Sequence, residues 1–189
     1  MSSDSSTIIR KRRVRIVAFN MVYATLVNQV EPNLYWLNTT QYAKTIPSKT
    51  TEEAEEDDHY LLYLKKIMEK GKDHEDYIML HQLYYDALKY ANENIEIISQ
   101  FLKNWDWQRV SRVEQVLMIL CVTEWLHFPE IPVKVSLNEY MEIAKLYANP
   151  DESHKFINGI LDKILVYLQS NKRIHKVGKG SITESKKKL

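Results

Sequence analysis

Apolar residues recur along this chain at intervals of three and four, the spacing of a helix that buries one side. From Arg12 to Val27, the residues Val14, Val17, Ala18, Met21, Val22 and Thr25 make one such stripe, and Pro32 interrupts it. Tyr60 to Lys70 predicts a short helix closed by Gly71. Asp76 to Phe101 predicts one long helix with Leu80, Leu83, Tyr84, Ala87, Leu88, Ala91, Ile95, Ile98 and Leu102 on its inner side. Asn104-Trp105-Asp106-Trp107 ends that pattern and marks a subdomain junction. Three more helices follow. Ser111 with Glu114 predicts a capping box ahead of Val113, Val116, Leu117, Leu120 and Cys121. Ser136 with Glu139 repeats the device before Leu137, Tyr140, Met141, Ala144 and Tyr147. Ser153 is the expected N-cap of a helix bearing Phe156, Ile157, Ile160, Leu161, Ile164, Leu165 and Leu168. Strand alternation nowhere persists. The expected fold is all-α, with about six to seven helices in two packed helical subdomains, residues 1–104 and 105–171. A basic tail, 172–189, is expected to be disordered.

Residues 31–58 are the least regular stretch. They end in the acidic run EEAEEDD, Glu52 to Asp58, read as a solvated linker or a helix N-terminus. The 189 residues, 44% of them hydrophobic, are enough for a sizeable core. With 26 Lys and Arg against 25 Asp and Glu, the net charge is +1, so a nucleic-acid partner must be argued from where charges cluster. Four glycines are too few and too scattered for a dinucleotide fingerprint or a phosphate-cradling loop. The one cysteine, Cys121, excludes an internal disulfide and any multi-cysteine metal site. No apolar run reaches membrane-spanning length, and the first residues lack the apolar core of a secretory signal, so a cytoplasmic location is expected.

Catalytic chemistry finds little support. None of the six histidines forms the helical pair with an adjacent acid that a zinc protease uses, and His74 and His81 are two turns apart. Ser153 and His154 read as a helix start, and Cys121 as a small core residue. No metal, cofactor or catalytic residue is expected. The basic cluster says more. Arg10, Lys11, Arg12, Arg13 and Arg15 put five cations in six positions, at what the pattern predicts to be the first turn of the first helix. Cations there oppose the helix dipole and each other, so stability does not explain them. Arg12 and Arg13 flank the apolar stripe and Arg15 lies at its edge, leaving all three in solvent to meet a polyanion. A second signal is Pro150 to Lys163, which joins a helix start to Lys155, Phe156, Asn158 and Gly159. Glycine inside a helix costs about 1 kcal/mol and suits close approach of a ligand or another helix. Glu124 continues an apolar stripe and is expected to be partly buried, accepting hydrogen bonds from backbone N–H groups.

The segment PEIPVKVSLNEYMEIAKLYANPDESHKFINGILDKI, residues 129–164, closely resembles the C-terminal signature of the NusB family of transcription antitermination factors. It carries IP-x-KV-x-x-NE-x-x-E-x-AK-x-Y and then SHKF-[IV]-NG-[IV]-LDK at the family distance. RVEQVLMILCVTEW before it, and RKRRVRIVAFNMVYA near the start, are similar to two further family helices. Residues 30–75 do not match the shorter members and look like an insertion or a lengthened first subdomain.

The resemblance implies an all-helical RNA-binding factor without catalysis. Such a factor binds single-stranded boxA-type RNA together with the ribosomal protein NusE, joins the antitermination complex on RNA polymerase, and acts notably in ribosomal RNA operons. Carried over, it implies RNA contacts at Arg12, Arg13 and Arg15, with Ser153, Lys155, Phe156 and Asn158 beside them, and NusE contacts at Tyr23 and Glu114. Glu152 stands where the family often has Asp, and Ile119 where some members have Arg. Members are monomers or homodimers. Two alternatives stay open: a helical protein-binding adaptor without RNA activity, and the RNA-binding domain found on certain RNA methyltransferases. The absence of a glycine-rich cofactor motif favours a free-standing factor.

Overall fold

The computed structural model describes residues 2–47, 59–103, 105–148 and 152–178. The acidic run at Glu52–Asp58 and the tail beyond Gly178 lie outside them. Among the described residues there are eight α-helices, a 3₁₀ turn at Trp107–Arg109 and no strand. The helices are α1 (Ser2–Asn28), α2 (Pro32–Thr45), α3 (His59–Glu69), α4 (Glu75–Lys89), α5 (Ala91–Ser99), α6 (Arg112–His127), α7 (Val133–Tyr147) and α8 (Glu152–Ser170). The all-α expectation is met with more helices than the pattern predicted. Residues read as irregular form α2, and the single helix expected over 76–101 is two. The chain divides into two compact units, Met1–Lys89 and Tyr90–Leu189, so the division falls at Lys89/Tyr90 whereas the sequence pattern suggested residue 104.

In the first unit, α1 packs against α4 and α3, and α2 lies on α3. The predicted stripe of α1 is the core: Val14, Val17, Ala18, Met21 and Val22 are buried with Leu62, Leu64 and Ile67 of α3 and Leu80, Leu83 and Ala87 of α4. The hydroxyls of Thr25 and Tyr84 sit 2.9 Å apart inside this core. Thr25 also donates to Met21 O and Tyr84 to Pro32 O, which secures the start of α2. Burial pushes the Tyr84 phenol up to about 12.

The α2 helix escaped the pattern because its buried side is narrow. Only Trp36, Thr40 and Ala43 face inward, while Leu34, Leu37 and Tyr42 are exposed. Trp36 anchors it, meeting the rings of Tyr77, His81, Tyr84 and Tyr85 at centroid separations of 5.1 to 6.0 Å. Its start is locally legible after all. Pro32 opens the helix, and the Glu31 carboxylate accepts from Leu34 N–H at 2.7 Å.

The second unit is built round α6. Every residue from Gln115 to Trp125 is buried, so this helix is enclosed on all sides and not on the single stripe expected. Helices α5, α7 and α8 pack on it. Its fully buried polar residues Gln115, Thr123 and Glu124 are engaged. Gln115 donates to Trp107 O and Val110 O, Asn94 donates to the Thr123 hydroxyl at 2.9 Å, and Glu124 accepts from Ser136 Oγ at 2.7 Å and Tyr140 OH at 3.2 Å. Glu124 thus accepts from hydroxyls of α7, where bonds from backbone N–H groups were expected. That also corrects Ser136, which is no cap: α7 begins at Val133 behind Pro132, leaving Ser136 buried inside the helix. The Ser111–Glu114 capping box is present as predicted. Contacts with α6 also explain the break after α4. Tyr90 stacks on His127 at 4.1 Å and Asn94 bonds to Thr123, so packing interrupts a sequence with no helix breaker.

The described part of the basic segment after α8 packs on its own unit. Lys176 Nζ donates to Phe128 O at 2.8 Å and Glu124 O at 3.2 Å, placing a cation on the carbonyls at the end of α6, where the helix dipole is negative. Val177 N–H donates to Pro129 O, and Arg173 pairs with Glu93. The tail expected to begin at 172 is therefore anchored to its own unit over its first residues.

The α1 helix ends with Gln29 in the left-handed region, φ +51°, and Val30 N–H donating to Thr25 O. A side chain there carries a steric penalty that glycine avoids. Gln29→Gly is expected to raise unfolding free energy by about 0.5 kcal/mol in a urea titration. A loss of stability would show that the glutamine side chain compensates for its backbone.

Candidate nucleic-acid interface

The basic cluster lies in the middle of α1 and not at its first turn, since the helix begins at Ser2. The dipole penalty expected for it therefore does not apply. Arg10 and Lys11 face α4. Arg10 pairs with Glu75 and lies 3.2 Å from the Asp76 carboxylate, and Lys11 lies 3.1 Å from Glu75. Lys70 completes the cage around Asp76 at 2.7 Å. Asp76 is 1% exposed, and these cations offset its buried charge, Lys70 bonding to Oδ2 while Oδ1 has ion-pair neighbours but no hydrogen bond. Hydrogen bonding from Arg10, ahead of that from Lys11, holds the Glu75 carboxyl down at about 2.

The three arginines singled out by sequence differ sharply. Arg15 is 2% exposed, which corrects its placement in solvent. The helical period carries it to the side occupied by Ala18, Phe19 and Val22, all buried. Arg12 is half-buried and Arg13 exposed. The Arg13 guanidinium sits 4.9 Å from the centroid of the Tyr63 ring of α3, a cation–π contact not foreseen from sequence.

In the second unit, Ser153 is buried within the first turn of α8 and does not stand before it, so the N-cap expectation is corrected. Lys155 is exposed, whereas Phe156 and Asn158 are half-buried. Asn158 donates to Asp162 one turn on, at 3.2 Å. Beside Phe156, at 6.1 Å, lies the exposed ring of Trp105, with the Arg109 guanidinium 5.8 Å from its centroid. The sequence reading took Trp105 only for a junction marker. Its neighbour Arg109 carried the missed signal, since aromatic and cation together form a surface on which a base can stack. A Cβ added at Gly159 would meet nothing within 4 Å, so helix packing inside the chain does not require that glycine. Ile119 is a core residue and offers no polar contact.

The two residues assigned to a protein partner are also placed. Tyr23 is half-buried, its ring 6.0 Å from Phe19. Glu114 is half-buried, and its carboxylate accepts from Ser111 N–H and Oγ in the cap of α6.

The model of the NusB family matches residues 12–166. The transcription antitermination protein NusB of Salinibacter ruber is 40% identical over 100 residues, 53% of this chain and 62% of that protein. The chain spans about three fifths of the length of the first curated relatives it matches. T. maritima NusB superposes with a TM-score of 0.53 at 21% identity, over 82% of this chain and 89% of that one. A chain in the crystal structure of antitermination factors NusB and NusE in complex with dsRNA gives 0.55 at 21% identity, over 85% and 98%. At these identities the structural likeness is one of fold.

The ion pairs divide structural from free cations. Asp76→Ala is expected to cost about 1–3 kcal/mol in chemical denaturation, because it strands Arg10 and Lys70. Arg13→Ala should stay within about 0.5 kcal/mol of the parent. Equal costs would show that Arg13 is as structural as Asp76. The raised acidity of Glu75 adds stability that is complete above the ordinary carboxylate value of 4.5 and disappears as pH falls from there towards about 2. Denaturation midpoints between those limits should fall less steeply in Glu75→Gln than in the parent.

Proposed function

This chain belongs to the NusB family, and we propose that it is an RNA-binding transcription antitermination factor. In this reading it binds single-stranded boxA-type RNA together with a NusE ribosomal protein and joins the complex that lets RNA polymerase read through terminators, notably in ribosomal RNA operons. It performs no catalysis and works in the cytoplasm. The observation that carries the reading is the family match over residues 12–166, which takes in both the basic part of α1 and the SHKFINGILDK signature of α8. Among the described residues no helix is long and apolar enough to cross a membrane.

The proposed RNA-facing groups are Arg12 and Arg13 in the first unit and Lys155, Phe156 and Asn158 in the second. Arginine suits phosphate because its planar fork makes paired hydrogen bonds and also stacks on bases. Phe156, next to Trp105, suits an unpaired base, which presents a flat face once it leaves a helix. Arg15 and Ser153, both buried, support these residues from behind and do not meet RNA directly. Tyr23 is proposed to contact NusE. Glu114 acts there through the capped start of α6, since its carboxylate is engaged with Ser111.

Titration of the purified chain with a boxA-like RNA oligonucleotide, with and without NusE, tests the proposal. Binding should tighten with NusE, and log affinity should fall with log salt at about −0.7 per phosphate contacted. Arg12→Ala with Arg13→Ala should weaken binding and make that slope shallower by up to about 1.4, with helicity by circular dichroism unchanged. Absence of RNA binding under both conditions would favour a protein-binding adaptor and sink the proposal.

A further inference from the structure

A cleft of about 340 Å³ opens in the first unit between α1, α3 and the start of α4. Its size falls in the range of small-ligand pockets, roughly 300–1,000 Å³. Arg10, Arg13, Lys66 and Lys70 line it with Tyr63, against two carboxylates, Glu69 and Asp76. The carboxylates are already served. Asp76 is held by Arg10 and Lys70, and Lys65 Nζ lies 3.9 Å from Glu69. The cleft therefore presents the charge of Arg13 and Lys66, both exposed, beside a half-buried tyrosine that Arg13 overlies. A hydrophobic side chain would gain little from so cationic a wall, and a metal ion would be repelled by it. A phosphate joined to a flat base satisfies both parts.

We propose that this cleft seats one nucleotide of the single-stranded RNA, its phosphate on Arg13 and Lys66 and its base against Tyr63. The inference rests on the RNA-binding reading above and extends it to α3, an element to which that reading assigns no RNA contact. Stacking on an aromatic ring tolerates any base, so Tyr63 adds affinity more than sequence preference. It also gives the Arg13–Tyr63 contact a purpose: the ring holds the guanidinium over the cleft at little entropic cost.

The test uses the full chain, a fluorescein-labelled boxA-like RNA and anisotropy at several salt concentrations, with Tyr63→Leu, Tyr63→Phe and Lys66→Ala compared with the parent. Tyr63→Leu should weaken binding about 5- to 100-fold, and Tyr63→Phe should bind close to the parent. Lys66→Ala should make the salt slope shallower by about 0.7. Circular dichroism and thermal melting check the fold. Should Tyr63→Leu melt early, the exposed Lys66→Ala decides the matter alone. If these variants bind as the parent does while the Arg12, Arg13 pair is weakened, the cleft inference is wrong and the RNA reading stands. If the parent binds no RNA, both fall.

Discussion

Two carboxylates at the start of α4 decide what the basic segment of α1 can do. Glu75 and Asp76 draw in Arg10, Lys11 and Lys70, and this ties α1 and the turn after α3 to α4. Asp76 is buried, and a buried charge without partners is far more costly than an exposed one. The cations around it are therefore structural before they are anything else. Arg13 stays exposed, its guanidinium over the Tyr63 ring, while Arg15 is buried. A run of like charges is in this way sorted by the fold into ion-paired, buried and exposed members.

The second unit solves a different problem. An enclosed helix such as α6 gains from apolar burial on every side, yet it carries Gln115, Thr123 and Glu124 into the same interior. Each is matched to a neighbouring element: Gln115 to the 3₁₀ turn, Thr123 to α5 and Glu124 to α7. These directional bonds select one arrangement among the many that apolar burial alone would allow. Lys176, returning from beyond α8, closes the end of the same helix. The rigid frame that results carries the first turns of α8, where Lys155 is exposed beside half-buried Phe156 and Asn158.

The contrast between α2 and α6 shows where a hydrophobic pattern informs and where it misleads. In α1 and α8 the apolar spacing predicts the buried side correctly, because each helix buries one face. In α6 the same spacing understates burial, since three helices surround it. In α2 it finds nothing, because a single tryptophan carries the packing and three large apolar side chains face outward. The Ser136 cap fails for a related reason. A serine three residues before a glutamate satisfies the motif whether or not the chain turns there, and Pro132 had already started α7 one turn earlier.

Taken alone, the sequence determined the helical class, the core faces of the one-sided helices, the Ser111 cap, the Gly71 stop and the family through its ordered C-terminal signature. Local propensity and linear spacing suffice for those. Tertiary structure decided which arginine is free and which is buried, since exposure depends on what packs against a helix and not on charge. It decided the partners of Glu124 and the anchoring of Lys176, since those contacts join residues far apart in the chain. It also decided that Tyr63 stands beneath Arg13, because only the packing of α3 on α1 brings an aromatic ring and a cation, fifty positions apart in sequence, to 4.9 Å.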